Sequence, residues 1–442
     1  MFMLRALRVF LLALILSTLL PTVGASARLP VDKPSTPARV VVAVVDSATN
    51  PYHEFFHARG QLYGKSRPSS VTPQVLREFG IDKDHIIRLT RTGNFAEDFA
   101  KDKTQFDAIE KGEPYWFKGT NLIGISFEPE GRRLRPDGKD TAHGVGTTAA
   151  VLAANPDAIV VSVDGFSDDS EEWAFTHPAV DLVSTSYGPI TSIPTLNHLS
   201  HSYSGVVKNG KMHFGAAAND PTLAAFDETA GPWWSVGIAG FEEGSTEGRQ
   251  LVSGSFSDFV GDFTQELPYC RNCEDTVRSV SGTSFATPRS AGTFSKVLLE
   301  ARRAAGHSGG IVTQGVKTPL MVAGEMSLTN WEMRRALEEG AYYPRTSDYK
   351  PGGGLFGATS VPVLDAAPWL ITGWGMITPD TEHAVVKETL AHLGLGGKPK
   401  RTKGSQVCSF MTAQIEARHA YWDRAAALGE SFGNSEDPYI YC

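Results

Sequence analysis

Six consecutive residues, Val40-Val41-Val42-Ala43-Val44-Val45, constrain this chain more than any other stretch of it. All are apolar, and all but the alanine are β-branched, so a strand made of them has no polar face to turn to water. Such a strand belongs in a parallel sheet covered by helices on both sides, and sheets of that kind gather functional groups at the carboxyl ends of their strands. The run ends at Asp46-Ser47-Ala48. That puts Asp46 where a working carboxylate sits, although an aspartate also suits a plain turn there.

Two further segments carry chemistry. Asp140 to Ala154, closed by Asn155-Pro156, reads as a helix of mostly small residues with His143 near its start. Gly144, Gly146, Ala149 and Ala150 lower helix propensity and offer little side chain, so their use is close packing against a sheet. The run Ser281-Gly282-Thr283-Ser284-Phe285-Ala286-Thr287-Pro288 sets Ser284 at the opening of another helix. Gly282 lets the backbone turn sharply, and the small residues behind it let the helix pack closely. A Gly-Thr-Ser sequence also serves as an ordinary helix cap. Taken together, the carboxylate, imidazole and hydroxyl are the three groups that nucleophilic acyl transfer requires.

Val44-Val45-Asp46-Ser47, His143-Gly144-Val145-Gly146-Thr147-Thr148-Ala149 and Gly282-Thr283-Ser284-Phe285-Ala286-Thr287-Pro288 resemble the hallmark blocks of the subtilisin-like serine peptidases. The order Asp, His, Ser is that of subtilisin. Val145 and Gly146 depart from the family's usual Thr-His after His-Gly. The resemblance implies an α/β fold of three layers, α/β/α, with a mainly parallel central sheet. It also implies a serine endopeptidase in which Ser284 attacks, His143 is general base and Asp46 orients it. Asp181 to Gly188 is similar to the family's substrate strand, so Ser186, Tyr187 and Gly188 are expected to pair with a polypeptide in extended conformation. Phe214 to Asp220 is similar to the wall of the pocket for the residue before the cut, which assigns Ala216, Ala217 and Ala218 to that wall and Asn219 to the oxyanion site. Trp234 to Ala239 and Gly254 to Phe259 echo the strands that precede the serine block. The chemistry needs no metal or organic cofactor, and a structural calcium is compatible with the family. The same triad also serves an acyl hydrolase of the esterase kind, and the fold alone would serve a binding protein without proteolytic activity.

Residues 1–27 carry Arg5 and Arg8, an apolar run from Val9 to Leu20, and Ala25-Ser26-Ala27, the pattern of a secretory signal peptide cut after Ala27. The run is too short to span a bilayer, and no later segment is apolar enough, so a secreted, extracellular chain without a membrane span is expected. Removing the two signal arginines takes the formal charge from -8 to -10 (-8 minus 2), which disfavours nucleic acid as a partner.

Residues 28–39 form a short N-terminal segment, too short for the propeptide that such secreted enzymes commonly carry. Residues 40–395 hold the peptidase domain. Asp46 and His143 stand 97 positions apart (143 minus 46), and 57–118 reads as an insertion with helical stretches near Val71 to Phe79 and Ala96 to Lys111. Tyr115, Trp116 and Phe117 suit core packing better than a substrate groove. Leu328 to Gly340 reads as an amphipathic helix, and Gly352 to Gly354 and Leu364 to Ala367 resemble the end of such a domain. Residues 396–442 read as a linker and a disulfide-tethered extension, with a helix from Ser409 to Leu428. Cys270, Cys273, Cys408 and Cys442 allow three pairings, and a bridge from either later cysteine to the Cys270 loop would staple the tail beside the site. Asp227 and Glu228 read as solvated surface charges.

Overall fold

The computed structural model describes residues 38–57, 69–136, 142–187, 196–219, 227–241, 257–305, 321–323, 326–343 and 369–426. The expected signal peptide, Gly188, the stretches 352–354 and 364–367, and Cys442 lie outside these residues.

Strand β1 (Val41–Asp46) runs through the middle of a ten-stranded sheet, and its alternate side chains feed two separate cores. Val42 and Val44 pack with Val145, Ala149 and Phe294, which lie on the helices His143–Ala154 and Thr283–Ala305. Val41, Ala43 and Val45 pack with Val75, Ala174 and Phe175 on the opposite face, from the helices Pro73–Glu78 and Asp168–Thr176. The valine-rich run thus produces the three layers directly: a strand buried on both faces needs a helical layer on each.

In chain order the remaining strands are β2 (Ile86–Ile87), β3 (Tyr115–Phe117), β4 (Leu122–Ser126), β5 (Ile159–Asp164), β6 (Leu182–Thr185), β7 (Met212–Ala216), β8 (Val236–Phe241) and β9 (Phe259–Asp262). They are followed by the antiparallel pairs β10 (Thr264–Pro268) with β11 (Val277–Ser281) and β12 (Met321–Ala323) with β13 (Met326–Leu328), and by β14 (Met376–Ile377). The sheet order is β14-β9-β8-β7-β6-β1-β5-β4-β3-β2. Every pairing in it is parallel except β3 with β4. Strand order reverses at β1, which is flanked by β5 and β6, and Asp46 lies in register with Asp164 at that crevice.

Two stretches outside the central blocks are built into the body. The segment expected as an insertion supplies β2 and β3 to the sheet edge, and Tyr115 and Phe117 are buried there while Trp116 is half-buried. Its helices span Pro73–Glu78 and Phe95–Asp107, close to the expected stretches. The amphipathic segment near 328–340 forms the helix Asn330–Gly340. The tail helix, Ser405–Ala426, enters the main core through Val407, Met411, Ile415 and Trp422, so it is more than an appendage on a linker. Residues 400 and 401 are also bound back, their amides donating to Glu388 Oε1. Cys270 and Cys273 bond to each other with Cα atoms 5.9 Å apart. The loop therefore closes on itself and does not staple the tail; Cys408 is disulfide-bonded independently of it.

Polar contacts fix the tail as firmly as apolar ones. Arg418, 1% exposed, reaches Asp258 Oδ1 at 2.6 Å and donates to the carbonyls of Gly231, Ala230 and Pro232. Asp258 also meets Arg334 at 3.0 Å. A buried carboxylate that loses a guanidinium retains its desolvation cost without the compensating attraction. Arg418→Ala should therefore lower unfolding free energy by about 3 kcal/mol, measured as a reduced urea midpoint, whereas a tail that merely hangs from a linker would show no change.

Candidate active site

Asp46 closes β1 with 1% of its surface exposed, and each of its oxygens is committed. Oδ1 accepts from the Ser47 amide at 2.7 Å, and Oδ2 accepts from Thr147 Oγ1 at 3.2 Å. His143 Nδ1 lies 3.0 Å from Oδ1 and 2.8 Å from Oδ2. A carboxylate on Nδ1 fixes the proton there, which leaves Nε2 as the nitrogen with a lone pair. Burial disfavours the charged imidazole, but the attraction and hydrogen bond of Asp46 outweigh it and hold the His143 pKa above 6.5.

This pair exists because the histidine helix comes unusually close to the end of β1. A Cβ added to Gly144 would stand 1.7 Å from the Ser47 carbonyl oxygen, so any side chain there would push the helix away. The gap is closed by a hydrogen bond from the Gly144 amide to Ser47 Oγ at 3.0 Å. Gly146 does the same towards the serine helix, where an added Cβ would meet Phe285 at 2.7 Å. The His143 and Phe285 rings lie 5.3 Å apart, which brings the imidazole next to the residue that follows Ser284.

Ser284 stands in the first turn of the helix Thr283–Ala305. The turn before it depends on Gly282, whose φ of +151° is one that side chains rarely adopt. Pro288 has no amide hydrogen, so the Ser284 carbonyl four residues earlier lacks its helical donor. Ser186 Oγ fills that position, donating to Ser284 O at 2.8 Å. The Ser284 hydroxyl itself donates to the Ser186 carbonyl at 3.2 Å. The predicted substrate edge and the predicted nucleophile are thus tied together, and the Ser284 hydroxyl is hydrogen-bonded to Ser186 and not to His143.

Asn219 is exposed at the end of its loop, and its orientation is set from behind. Oδ1 accepts from the Thr283 amide at 2.9 Å and from Thr283 Oγ1 at 3.0 Å. With the oxygen engaged at Thr283, Nδ2 is the donor atom of the amide. Ala216, Ala217 and Ala218 are buried beside it, and the carbonyls of Ala216 and Ala217 are held by Thr229 Oγ1 and Thr283 Oγ1.

A cleft of about 200 Å³ opens at the imidazole, lined by Asp46, His143, Phe166, Ser186, Tyr187 and Tyr269. Phe166 and Tyr187 meet edge to face at 5.0 Å, and Phe166 is 57% exposed. Phe166, Tyr187 and Tyr269 give this cleft a largely aromatic lining beside the imidazole.

No protein-family model matches this chain, and no curated protein matches it either. Among solved structures it is similar to a lanthipeptide protease, at 13% identity over 79% of this chain and 87% of that one, with a TM-score of 0.44. It is similar to the prenylagaramide maturation protease PagA at 13% identity, over 74% of this chain and 91% of that one, with a TM-score of 0.39. It is also similar to fervidolysin from Fervidobacterium pennivorans, a keratinolytic enzyme related to subtilisin, at 13% identity and a TM-score of 0.41, covering 79% of this chain and 42% of that one. At such identities the chemistry must be read from the side chains of this site.

Several of these residues were hidden in the sequence. Phe166 follows Gly165 just beyond β5, so the strand-end rule that marks Asp46 also marks it. Tyr269 comes from the loop of the β10–β11 hairpin, and nothing local announces that this loop folds over the aspartate. Its anchors do: Asn50 Nδ2 donates to Cys273 O at 2.7 Å, Arg271 donates to the Ala48 carbonyl, and the Glu54 amide donates to Glu274 O at 2.7 Å. His53 lies beside the two bonded sulfurs, but its Nδ1 accepts from the Phe55 amide and its Nε2 faces Thr276 O, so both ring nitrogens are engaged. Asp227 and Glu228, expected as surface charges, are 4% and 0% exposed. Burial pushes the Asp227 carboxyl up to about 6, although Thr229 and Ala230 donate to it.

Because the His143 pKa is raised, the imidazole is a base only above that value. Titration followed by proton NMR should show His143 releasing its proton above pH 6.5, and in Asp46→Asn at a lower pH. Equal midpoints in the two proteins would refute this account of the pair.

Proposed function

We propose that this protein is a subtilisin-like serine endopeptidase that hydrolyses polypeptides bound in extended conformation. The observation that carries the reading is the Asp46–His143 pair, 2.8 Å apart, held against a serine helix whose Ser284 is tied to the edge at Ser186. Among the solved structures similar in fold are proteases.

In the proposed reaction a peptide lies along residues 186–188 with its scissile carbonyl at Ser284 Oγ. His143 Nε2 takes the hydroxyl proton as Oγ bonds to the carbonyl carbon, and Asp46 stabilises the imidazolium through Nδ1. The charge on the former carbonyl oxygen meets Asn219 Nδ2, the Ser284 amide and the positive end of the helix. His143 then gives its proton to the departing amine, the C–N bond breaks and an acyl-enzyme remains. Water, activated by His143 in turn, releases the acid and restores Ser284. The aromatic cleft receives an apolar side chain of the substrate. No residue of this scheme calls for a metal or organic cofactor.

We place the enzyme outside the cell, on the pattern of residues 1–27. N-terminal sequencing of the exported protein should begin at Arg28; a chain that retains Met1 in the cytoplasm refutes that placement.

A fluorophosphonate probe should label the wild-type protein and fail to label Ser284→Ala. Asn219→Ala should retain labelling but lower kcat on denatured casein by about 10²–10³, the range for one oxyanion donor. Labelling without any peptide cleavage would favour the esterase reading, and no labelling of the wild type would remove the hydrolase reading altogether.

A further inference from the structure

Beyond Ser186, the substrate edge is held by a second, buried contact. The Tyr187 hydroxyl donates to Glu171 Oε1 at 2.7 Å, and His198 Nδ1 reaches the same oxygen at 2.9 Å. Glu171 and His198 are only 6% and 5% exposed, so this is a charge-assisted contact shielded from solvent. We propose that Glu171 and His198 are positioning residues for the peptide-binding edge, fixing Tyr187 and the Phe166 wall against which a substrate side chain rests. This deepens the peptidase reading and rests on it for the identity of the ligand.

Three pieces of chain meet at that carboxylate: the edge at Tyr187, the helix Asp168–Thr176 and the helix Leu196–Tyr203. Phe166 precedes Ser167, the N-cap of the first helix, so anchoring Glu171 also anchors the pocket wall. His201 Nε2 and Asp168 Oδ1, 2.6 Å apart, tie the same two helices a second time. Rings crowd His198 on all sides: Phe175 at 6.4 Å, Tyr187 at 6.3 Å and His213 at 5.8 Å between centroids. His213 is itself fixed, between Thr185 Oγ1 at 2.8 Å and Ser235 Oγ at 2.7 Å.

The charges agree with the geometry. Burial opposes an ionised Glu171, but His198 together with the Tyr187 hydroxyl keeps its carboxyl below the usual range. Burial likewise opposes a charged His198, and Glu171, aided by Glu228 and Asp227, raises its pKa. Just past the end of β6, Ser186 is held at the serine helix while Tyr187 is held at Glu171. A strand added to this edge meets a backbone already fixed on both sides, and less ordering is left for binding to impose.

The test uses the full chain carrying Ser284→Ala, with binding of denatured fluorescein-labelled casein read by anisotropy. Tyr187→Phe and Glu171→Ala should each raise the Kd about tenfold. Glu171→Gln should raise it less, because its amide oxygen still accepts from Tyr187. With Ser284 restored, the same changes should raise KM for casein by a larger factor than they lower kcat. Unchanged Kd in natively folded variants, a fall in kcat at constant KM, or no casein binding by the Ser284→Ala chain would overturn the proposal. If Glu171→Ala does not fold, Tyr187→Phe decides alone. Casein that binds in this pattern but is never cut by the wild type would leave the positioning role standing and remove the peptidase reading.

Discussion

The approach of Gly144 to the Ser47 carbonyl is the contact on which the rest of the site depends. An imidazole reaches a strand-end carboxylate at 2.8 Å only if the two backbones nearly touch, and a Cβ 1.7 Å from that oxygen would forbid it. The cost in helix propensity of Gly144 and Gly146 therefore purchases geometry. What holds the helix in place is the layer below it: Val42 and Val44 on β1 and Phe294 on the serine helix share one core with Val145 and Ala149.

The serine helix is fixed at both ends by different physics. Its opening turn carries the freed carbonyl of Ser284, taken by Ser186, and the Thr283 contacts that aim Asn219. Far along its 23 residues, Arg302 grips Asp181 through two hydrogen bonds, 2.7 and 2.8 Å, and also donates to the Arg39 carbonyl. Asp181 accepts in turn from the Val41 amide, which couples that end of the helix to the starts of β1 and β6. A rod of about 34 Å anchored at both ends leaves Ser284 little freedom to shift relative to Asp46.

Legibility in the sequence followed the length over which a signal repeats. The valine-rich run spans six positions and disclosed the parallel sheet with Asp46 at the strand's end, while Gly-rich blocks marked the starts of the helices that carry His143 and Ser284. Strands β2 and β3 have two and three residues, too few for any period to show, so nothing in the sequence marked that segment as extending the sheet. The tail misled for another reason: Lys and Arg around residue 400 look like solvated linker, yet their amides are satisfied by Glu388, a long-range contact without local trace. Asp227 and Glu228 were misplaced by the general rule that carboxylates face water, which yields at Asp227 because Thr229 and neighbouring amides supply donors. Phe166, Tyr269 and Glu171 reach the site from three different loops and helices, and only the fold assembles them.

The charge attraction between Asp46 and protonated His143 is not all that holds the pair: it is lost once the imidazole is neutral, whereas the Nδ1–H hydrogen bond to Asp46 remains. With its pKa raised in the folded state, His143 stabilises the fold fully below about pH 6.5, where the unfolded chain is also protonated, and that contribution is lost as pH rises through the folded pKa. The imidazole becomes able to accept a proton over the same titration in which the electrostatic stabilisation disappears. Above that pKa the arrangement persists on this hydrogen bond and on contacts that do not titrate in that range. The Gly144 amide to Ser47 Oγ, Ser186 Oγ to Ser284 O, Thr283 to Asn219, and the packed valines are of this kind. Neutral hydrogen bonds and close packing hold the Asp46–His143 geometry whether or not the imidazole carries a second proton.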